Sequence, residues 1–398
     1  MVIGVLREIK PQENRVSMTP SGVETMHRHG HTVLVEQSAG RGSDFTDEQF
    51  AGAGATITST AAEIYARADM VMHVKEPQPS EYGLIRPGQV VFAYFHFASD
   101  EQFTRNYMQT RSVAIAYETV EGPRGGLPLL NPMSEVAGRM AVQEAAEYCE
   151  RVHGGRGILL GGVTGVLPAT VLVIGGGIVG TNAAMMAAGM GARVYILDTK
   201  LERLRYLSEI MPKNCTPLMS SPATIRSLSV QADVIIGAVL IAGARSPRLI
   251  TRDMLKDMKR GCVMVDVSID QGGCFETSRP TTHDRPIYEI DGIIHYCVTN
   301  MPGSVPVTST TALTNATLPY ALQIADKGWW QACRDDEGLK KGVNMVDGKI
   351  TCEAVARAFD LPCIPVDSHL QISAGRHATT IQCGASPIVQ TGETHEDD

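Results

Sequence analysis

The sequence predicts an α/β protein: two doubly wound domains facing each other across a cleft, one of them assembled from separate parts of the chain. Three observations predict this. At 398 residues the chain is too long for one small core and suits two domains of ordinary size. Short apolar runs alternate with amphipathic helical stretches, the pattern of parallel sheets covered by helices. The third observation is the stretch Thr170–Asp198, where a β-branched strand runs into Gly175-x-Gly177-x-x-Gly180, then an Ala/Met-rich helix, then a second strand ending in Asp198. Gly175 permits the tight turn, Gly177 lets backbone approach a pyrophosphate, Gly180 lets helix and strand pack closely, and the helix N-terminus offers N–H groups to the anion. Asp198 can accept hydrogen bonds from both ribose hydroxyls and would repel a 2′-phosphate. A Rossmann-like domain holding NAD in preference to NADP is therefore expected.

Taken in order, Val2–Leu6 reads as a strand, followed by the charged loop REIKPQENR. Thr19 as N-cap and Pro20 at the first position open a helix. His31–Glu36 reads as a strand, Thr46–Gly54 and Ser59–Arg67 as helices, Asp69–Lys75 and Gln89–Phe97 as strands, Ser99–Thr110 as a helix and Ser112–Tyr117 as a strand. These make residues 1–128 a first domain. Leu127–Pro132 crosses into a second domain, 129–305, which opens on a long Ala-rich helix at Met133–His153. Beyond Asp198 the pattern predicts a helix at Leu201–Ile210, a strand at Asp233–Ala238, a helix near Thr251–Met258, and strands at Gly261–Ile269 and Gly292–Thr299. Helical stretches at Thr308–Lys327 and Gly348–Phe359 return to the first domain, making 306–370 its second piece. Residues 371–398, mixed in composition and ending in HEDD, read as a flexible tail.

With 43% hydrophobic and 20% charged residues, the chain reads as soluble and globular. Its formal net charge of -8 excludes a basic stripe for nucleic acid or an anionic membrane and points to a small-molecule partner. From Gly157 to Ala192 no residue is charged, but ten glycines and Pro168 interrupt the run. A strand buried on both faces of a parallel sheet reads the same way, so no membrane span is expected. No signal-peptide pattern follows Met1. Nine cysteines are scattered singly, without CxxC pairs or a His cluster at metal-ligand spacing, so reduced thiols, a cytoplasmic setting and no metal are expected.

Ligands of such sheets bind at the carboxyl ends of the strands. Asp270 follows the strand CVMVDVSI and precedes Gln271-Gly272-Gly273. A carboxylate there can orient a base, relay a proton or steady a developing positive charge, although Asp before Gly-Gly is equally a turn residue. Asn300, in TNMPGSVP, can hydrogen-bond a nicotinamide amide or a substrate, or serve an ordinary turn. Arg15, Lys75 and His96 make a possible opposing wall. Arg15 offers a planar fork matching a carboxylate, Lys75 a compact charge for a carbonyl oxygen, and His96 a group that titrates near neutrality. Taken singly, each has a bland reading: a solvated loop Arg, a snorkelling Lys, a packed His. His73, inside a strand beside Lys75, reads as a packing residue. GxSxG, a Cys–His signature and GKS/T are all absent, which leaves the chemistry to the cofactor and the positioning to the protein.

The blocks VIGVLREIKPQENRVSMTP, HVKEPQPSE, MSEVAGRMA, VIGGGIVGTNAA, IDQGGCFETSRPTTH and NMPGSVPVTSTTALTNATLPY, in this order from Met1 to about Val366, closely resemble the bacterial L-alanine dehydrogenase family. The resemblance implies reversible NAD-dependent oxidative deamination of L-alanine to pyruvate and ammonium. It implies substrate binding by Arg15 and Lys75 and acid/base roles for His96 and Asp270. Around the cofactor, besides Gly175, Gly177, Gly180, Asp198 and Asp270, it implies Ser134, Arg203, Ser220, Val239, Leu240, Val298, Asn300 and Met301. A cytoplasmic homo-oligomer, a hexamer in the family, follows in the same way. One departure stands in GGVTGVLPA, where Thr164 replaces an expected proline. Alternative readings within the same architecture are a saccharopine-forming amino-acid dehydrogenase, the NAD-binding subunit of a transhydrogenase, and an inactive NAD-binding protein, which would be expected to lose at least one of Arg15, Lys75, His96 and Asp270.

Overall fold

Two mostly parallel sheets carry the strands of the computed structural model, which describes residues 1–239 and 246–369. In chain order the strands are β1 (Val2–Val5), β2 (Thr32–Glu36), β3 (Thr56–Thr58), β4 (Met70–Met72), β5 (Val90–Ala93), β6 (Val113–Ala116), β7 (Thr170–Ile174), β8 (Arg193–Asp198), β9 (Cys215–Met219), β10 (Val234–Gly237), β11 (Val263–Asp266), β12 (Ile287–Ile290), β13 (Ile293–Tyr296), β14 (Val343–Val346) and β15 (Lys349–Ile350). The first sheet runs β15-β14-β6-β5-β4-β1-β2-β3 and the second β12-β13-β11-β10-β7-β8-β9. Strands from the far end of the chain thus complete the sheet that its first residues begin. Crossover helices place the central strands of both sheets between apolar layers, and β4, β5, β6, β10, β11 and β13 are buried along their whole length.

Local chemistry explains the elements. The helix Pro20–Arg28 starts where the Thr19 hydroxyl accepts the Gly22 N–H at 3.2 Å and Pro20 occupies the first turn, a cap worth about 1 kcal/mol. The helix Asp47–Gly52 opens on a capping box between Thr46 and Gln49. The helices Asn131–Tyr148 and Ile178–Gly189 bury small side chains against each other and against the second sheet. The helix Pro306–Lys327 packs on Asn131–Tyr148 and on the helix Pro20–Arg28.

Several expected bounds move, each for an identifiable reason. The strand expected over Gly261–Ile269 ends at Asp266, and Asp270 lies in the 3-10 turn Val267–Gln271. The buried Asp266 carboxylate accepts the N–H groups of Ser268 (3.1 Å), Cys274 (2.9 Å) and Phe275 (3.3 Å) and the Ser278 hydroxyl, folding the chain back. The helix expected over Gly348–Phe359 is the strand β15 followed by the shorter helix Glu353–Ala358. Here Asp347 and Gly348 take φ 50 and 74, the positive angles of a two-residue hairpin turn, and send β15 back along β14. Asp291-Gly292, at φ 53 and 84, does the same between β12 and β13. Thr251–Met258 contains a 3-10 turn, Arg252–Asp257, in place of an α-helix.

Candidate active site

One wall of the cleft is made of backbone. β7 ends at Ile174, and Gly175 follows with φ 109, where any Cβ would stand 2.5 Å from the Ala238 carbonyl oxygen. A Cβ on Gly180 would collide with the Gly175 carbonyl, so helix and strand approach as only glycine allows. Gly177 is the reverse case: nothing lies within 4 Å of its missing Cβ, and no side chain caps the helix Ile178–Gly189 that begins beside it. An open cradle facing unclaimed helix N–H groups fits a pyrophosphate. Asp198, at the end of β8, accepts the Gly176 N–H at 3.0 Å and the Lys200 N–H at 2.8 Å, which fixes its carboxylate and leaves lone pairs for ribose hydroxyls. Arg203 is fastened to the same loop, donating to Gly176 O at 2.6 Å and Thr181 Oγ1 at 2.7 Å and lying over the Tyr206 ring. The cradle and Asp198 together fit NAD.

The remaining cofactor-side candidates line this loop and its neighbours. Ser220 follows β9 and donates its N–H to Asp198 O at 2.9 Å. Val239 follows β10, and its carbonyl accepts the hydroxyls of Ser246 and Ser268 at 3.0 and 2.8 Å. Ser134 stands in the first turn of the helix Asn131–Tyr148. Val298 and Met301 are buried in the core, at 1% and 3% exposure. Leu240 lies outside the described residues.

The other wall is made of side chains. Arg15 is 2% exposed, not a solvated loop residue. Its fork grips Glu13, with Nε to Oε1 at 2.6 Å and Nη2 to Oε2 at 2.5 Å. Nη2 also donates to Asn300 Oδ1 at 2.9 Å, and Asn300 Nδ2 donates to Glu13 Oε2 at 3.1 Å, so the pair reaches across to the segment after β13. Among the described residues Nη1 donates to the Met133 sulfur at 3.0 Å, a weak acceptor. Lys75 and His96 stand just past β4 and β5. Tyr94 stacks its ring on His96 at 5.8 Å and 8°.

The charges of these groups are interdependent. Burial and the Arg15 and Lys10 cations lower the Lys75 pKa, partly offset by Asp270 and Glu76. His96 is an exposed residue, yet the dense protein around its ring and the Lys75, Lys10 and Arg15 cations bring its pKa down to about 3. It is therefore a neutral imidazole at neutral pH. Burial raises the Asp270 carboxyl; Lys75, Lys10 and the Asn300 N–H pull it partly back. Arg15, Lys75, His96 and Asp270 thus share one electrostatic neighbourhood. Glu13, by contrast, is held down to about 2: burial alone would raise it, but the Arg15 hydrogen bonds and charge and the Asn300 amide prevail.

Sequence reasoning missed Glu13. The available signal was its spacing of two from Arg15, which puts both side chains on one side of an extended chain. His73 is fully enclosed, with Tyr65 Oη at 2.9 Å on one nitrogen and Glu8 at 3.2 Å on the other.

The N-terminal domain profile of the alanine dehydrogenase/PNT family matches residues 4–137, and the C-terminal profile matches 141–353. An alanine dehydrogenase of Methanococcus maripaludis is 52% identical over 371 residues, 93% of this chain and 100% of the relative. One of Halomonas elongata is 50% identical over 368 residues, covering 92% and 99%. Among solved structures, an L-alanine dehydrogenase superposes with TM-score 0.87 at 47% identity, covering 90% of this chain and 99% of that one. A transhydrogenase of Sinorhizobium meliloti superposes with TM-score 0.75 at 24% identity, covering 89% and 100%, and shares the fold.

Proposed function

The chain belongs to the alanine dehydrogenase/PNT family, and from that premise we propose how its cleft divides the work of an NAD-dependent alanine dehydrogenase. The enzyme catalyses the reversible oxidative deamination of L-alanine to pyruvate and ammonium. NAD, when bound, supplies the hydride acceptor. Arg15, through Nη1, and Lys75 hold the substrate carboxylate, with Lys75 also within reach of the carbonyl oxygen of pyruvate. Holding the substrate Cα against the coenzyme wall makes the transfer effectively unimolecular. His96, neutral before substrate binds, takes a proton from the amine or from the attacking water and returns it. The carboxylate that binds also offsets the cations that depress His96, so its basicity rises when it is needed. Asp270 stabilises the cationic intermediate. Asp198 sets the preference for NAD, and Arg203, tied to Gly176 and Thr181, is not free to receive a 2′-phosphate.

The observation that carries this reading is the Arg15–Asn300 hydrogen bond, which brings the substrate wall and the coenzyme wall to one place. We take residues 1–128 with 306–370 as the substrate domain and 129–305 as the coenzyme domain. Cofactor contacts are assigned to Ser134, Gly175, Gly177, Gly180, Asp198, Arg203, Ser220, Val239, Leu240, Asp270, Val298, Asn300 and Met301. The assembly is a homo-oligomer, a hexamer by family. Exposed Leu159, Val163, Val166 and Leu167, at 58–80% accessibility on the loop before β7, supply apolar surface for self-association. The cytoplasm suits the free cysteines, six of the eight described ones being buried. No helix among the described residues is long and apolar enough to cross a membrane.

The test follows NADH formation with L-alanine, with other amino acids, and with lysine plus 2-oxoglutarate, using NAD and NADP and His96→Ala beside the wild type. Turnover of lysine with 2-oxoglutarate in place of alanine, or full activity in the variant, overturns the reading. Light scattering reports the oligomer.

A further inference from the structure

The two functional side chains of the first sheet are held by the same device used twice. Lys75 lies three residues beyond Met72, the end of β4, and His96 three beyond Ala93, the end of β5. At both places the parallel ladder is running out, and consecutive peptide N–H groups need acceptors. A glutamate from the flanking strand supplies them. Glu8, just past β1, accepts from Val74 N at 2.6 Å and Lys75 N at 3.3 Å. Glu118, just past β6, accepts from Phe95 N at 3.2 Å and His96 N at 2.6 Å. The registers explain the match. Val5 is level with Met72, and Ala93 with Ala116, so each glutamate emerges beside the strand end it closes. Between the two, Tyr94 N donates to Val74 O at 3.1 Å, joining both segments into one unit.

The need is greatest at His96. It takes φ 53, a conformation uncommon for a residue with a Cβ, and such residues persist where their surroundings over-determine them. The Glu118 bond to its N–H and the Ser99 hydroxyl bond to its carbonyl at 2.7 Å do so. Glu8 in turn is braced by His73 Nδ1 at 3.2 Å, which gives that buried histidine a task the reaction itself does not.

We propose that Glu8 and Glu118 are paired positioning residues, acting through backbone amides to aim Lys75 and His96 at the substrate. This rests on the roles assigned above to Lys75 and His96. Glu118 does this best as a carboxylate: both N–H groups reach its Oε1, and the negative charge strengthens both bonds. Burial raises its pKa to about 6, with its own amide, the His96 and Phe95 amides and the Lys75 charge pulling partly back. Lys75 is the charged group facing it. An acid limb in the activity, set by Glu118, follows.

The experiment is a double-mutant cycle on the full-length enzyme with Glu118→Gln, His96→Ala and both together, reading kcat, KM and the pH profile, with thermal unfolding alongside. Glu118→Gln is expected to lower kcat about 10- to 100-fold, as a misplacement of about 1 Å would. KM for NAD should stay within about twofold and the acid limb near pH 6 should disappear, while in the His96→Ala background the same change should cost little more. Additive losses, or wild-type kcat with an unchanged acid limb, overturn the proposal for Glu118. Should Glu118→Gln not fold, Glu118→Asp, too short to reach both amides, is read in the same cycle. Glu8→Gln is paired with Lys75→Ala, where KM for pyruvate should rise and the losses should again not add; additive losses overturn the Glu8 half. Full activity of His96→Ala alone would instead overturn the site assignment, so the two failures are distinguishable.

Discussion

The two walls of the cleft use opposite means to the same precision. The wall we assign to the coenzyme is shaped by missing side chains: Gly175 turns, Gly180 admits a neighbouring carbonyl, and Gly177 stays open. The wall we assign to the substrate is shaped by side chains held at several points, with Arg15 bound to Glu13, Asn300 and Met133, and the Lys75 and His96 segments closed by glutamates. A ligand whose phosphates are met by peptide groups needs room and dipoles. A small amino acid needs charge at fixed points. The difference teaches that substitutions should fail differently on the two sides, by chemistry on one and by crowding on the other.

The sharpest test lies on the substrate wall. His96→Ala should lower kcat/KM by about 100- to 10,000-fold with an unchanged unfolding midpoint, because the residue is exposed. Next, Glu13→Ala strands a buried guanidinium and should cost about 3–5 kcal/mol in denaturant unfolding. The same pair predicts acid sensitivity. A carboxyl held at about 2 rather than 4.5 contributes stability that is complete above pH 4.5 and is lost as pH falls toward 2. That contribution is about 3 kcal/mol, and Glu13→Ala should flatten this part of the stability curve. On the coenzyme wall, Gly180→Ala should cost about 1–3 kcal/mol of stability together with NADH binding. Gly177→Ala should weaken NADH binding, read by fluorescence titration, at unchanged stability. Equal behaviour of the two glycine variants would break the contrast. The smallest effect belongs to Asp198→Asn, which should shift the NAD/NADP ratio of kcat/KM about 10-fold, or about 1.4 kcal/mol, without touching kcat.

What the sequence made legible was the centre of each sheet. β1, β4, β5, β6, β7, β8, β10, β11 and β13 all coincide with apolar runs read from the residues alone, because strands buried on both faces announce themselves. β14, buried inside the first sheet, escaped, and so did the four edge strands β3, β9, β12 and β15. The edge strands are short and half solvated, and β9 carries Pro217, which an edge tolerates. Two Asp-Gly pairs, at 291–292 and 347–348, are the cue that went unread and that points to β12, β14 and β15. At the site, Arg15, Lys75, His96 and Asp270, singled out by residue type and place, share one electrostatic neighbourhood in the structure. Glu8, Glu13 and Glu118 were not singled out, since carboxylates that serve backbone amides or a neighbouring arginine look like ordinary loop charges until the strands are aligned.

The pairing of β14 with β6 bears on how the molecule is made. Synthesis proceeds toward the C-terminus, so the first sheet waits for residues 343–350, while the second is complete once Tyr296 has emerged. Until then the edge of β6 stays open in the nascent protein, a surface for chaperones to guard. The half synthesised first is the half finished last.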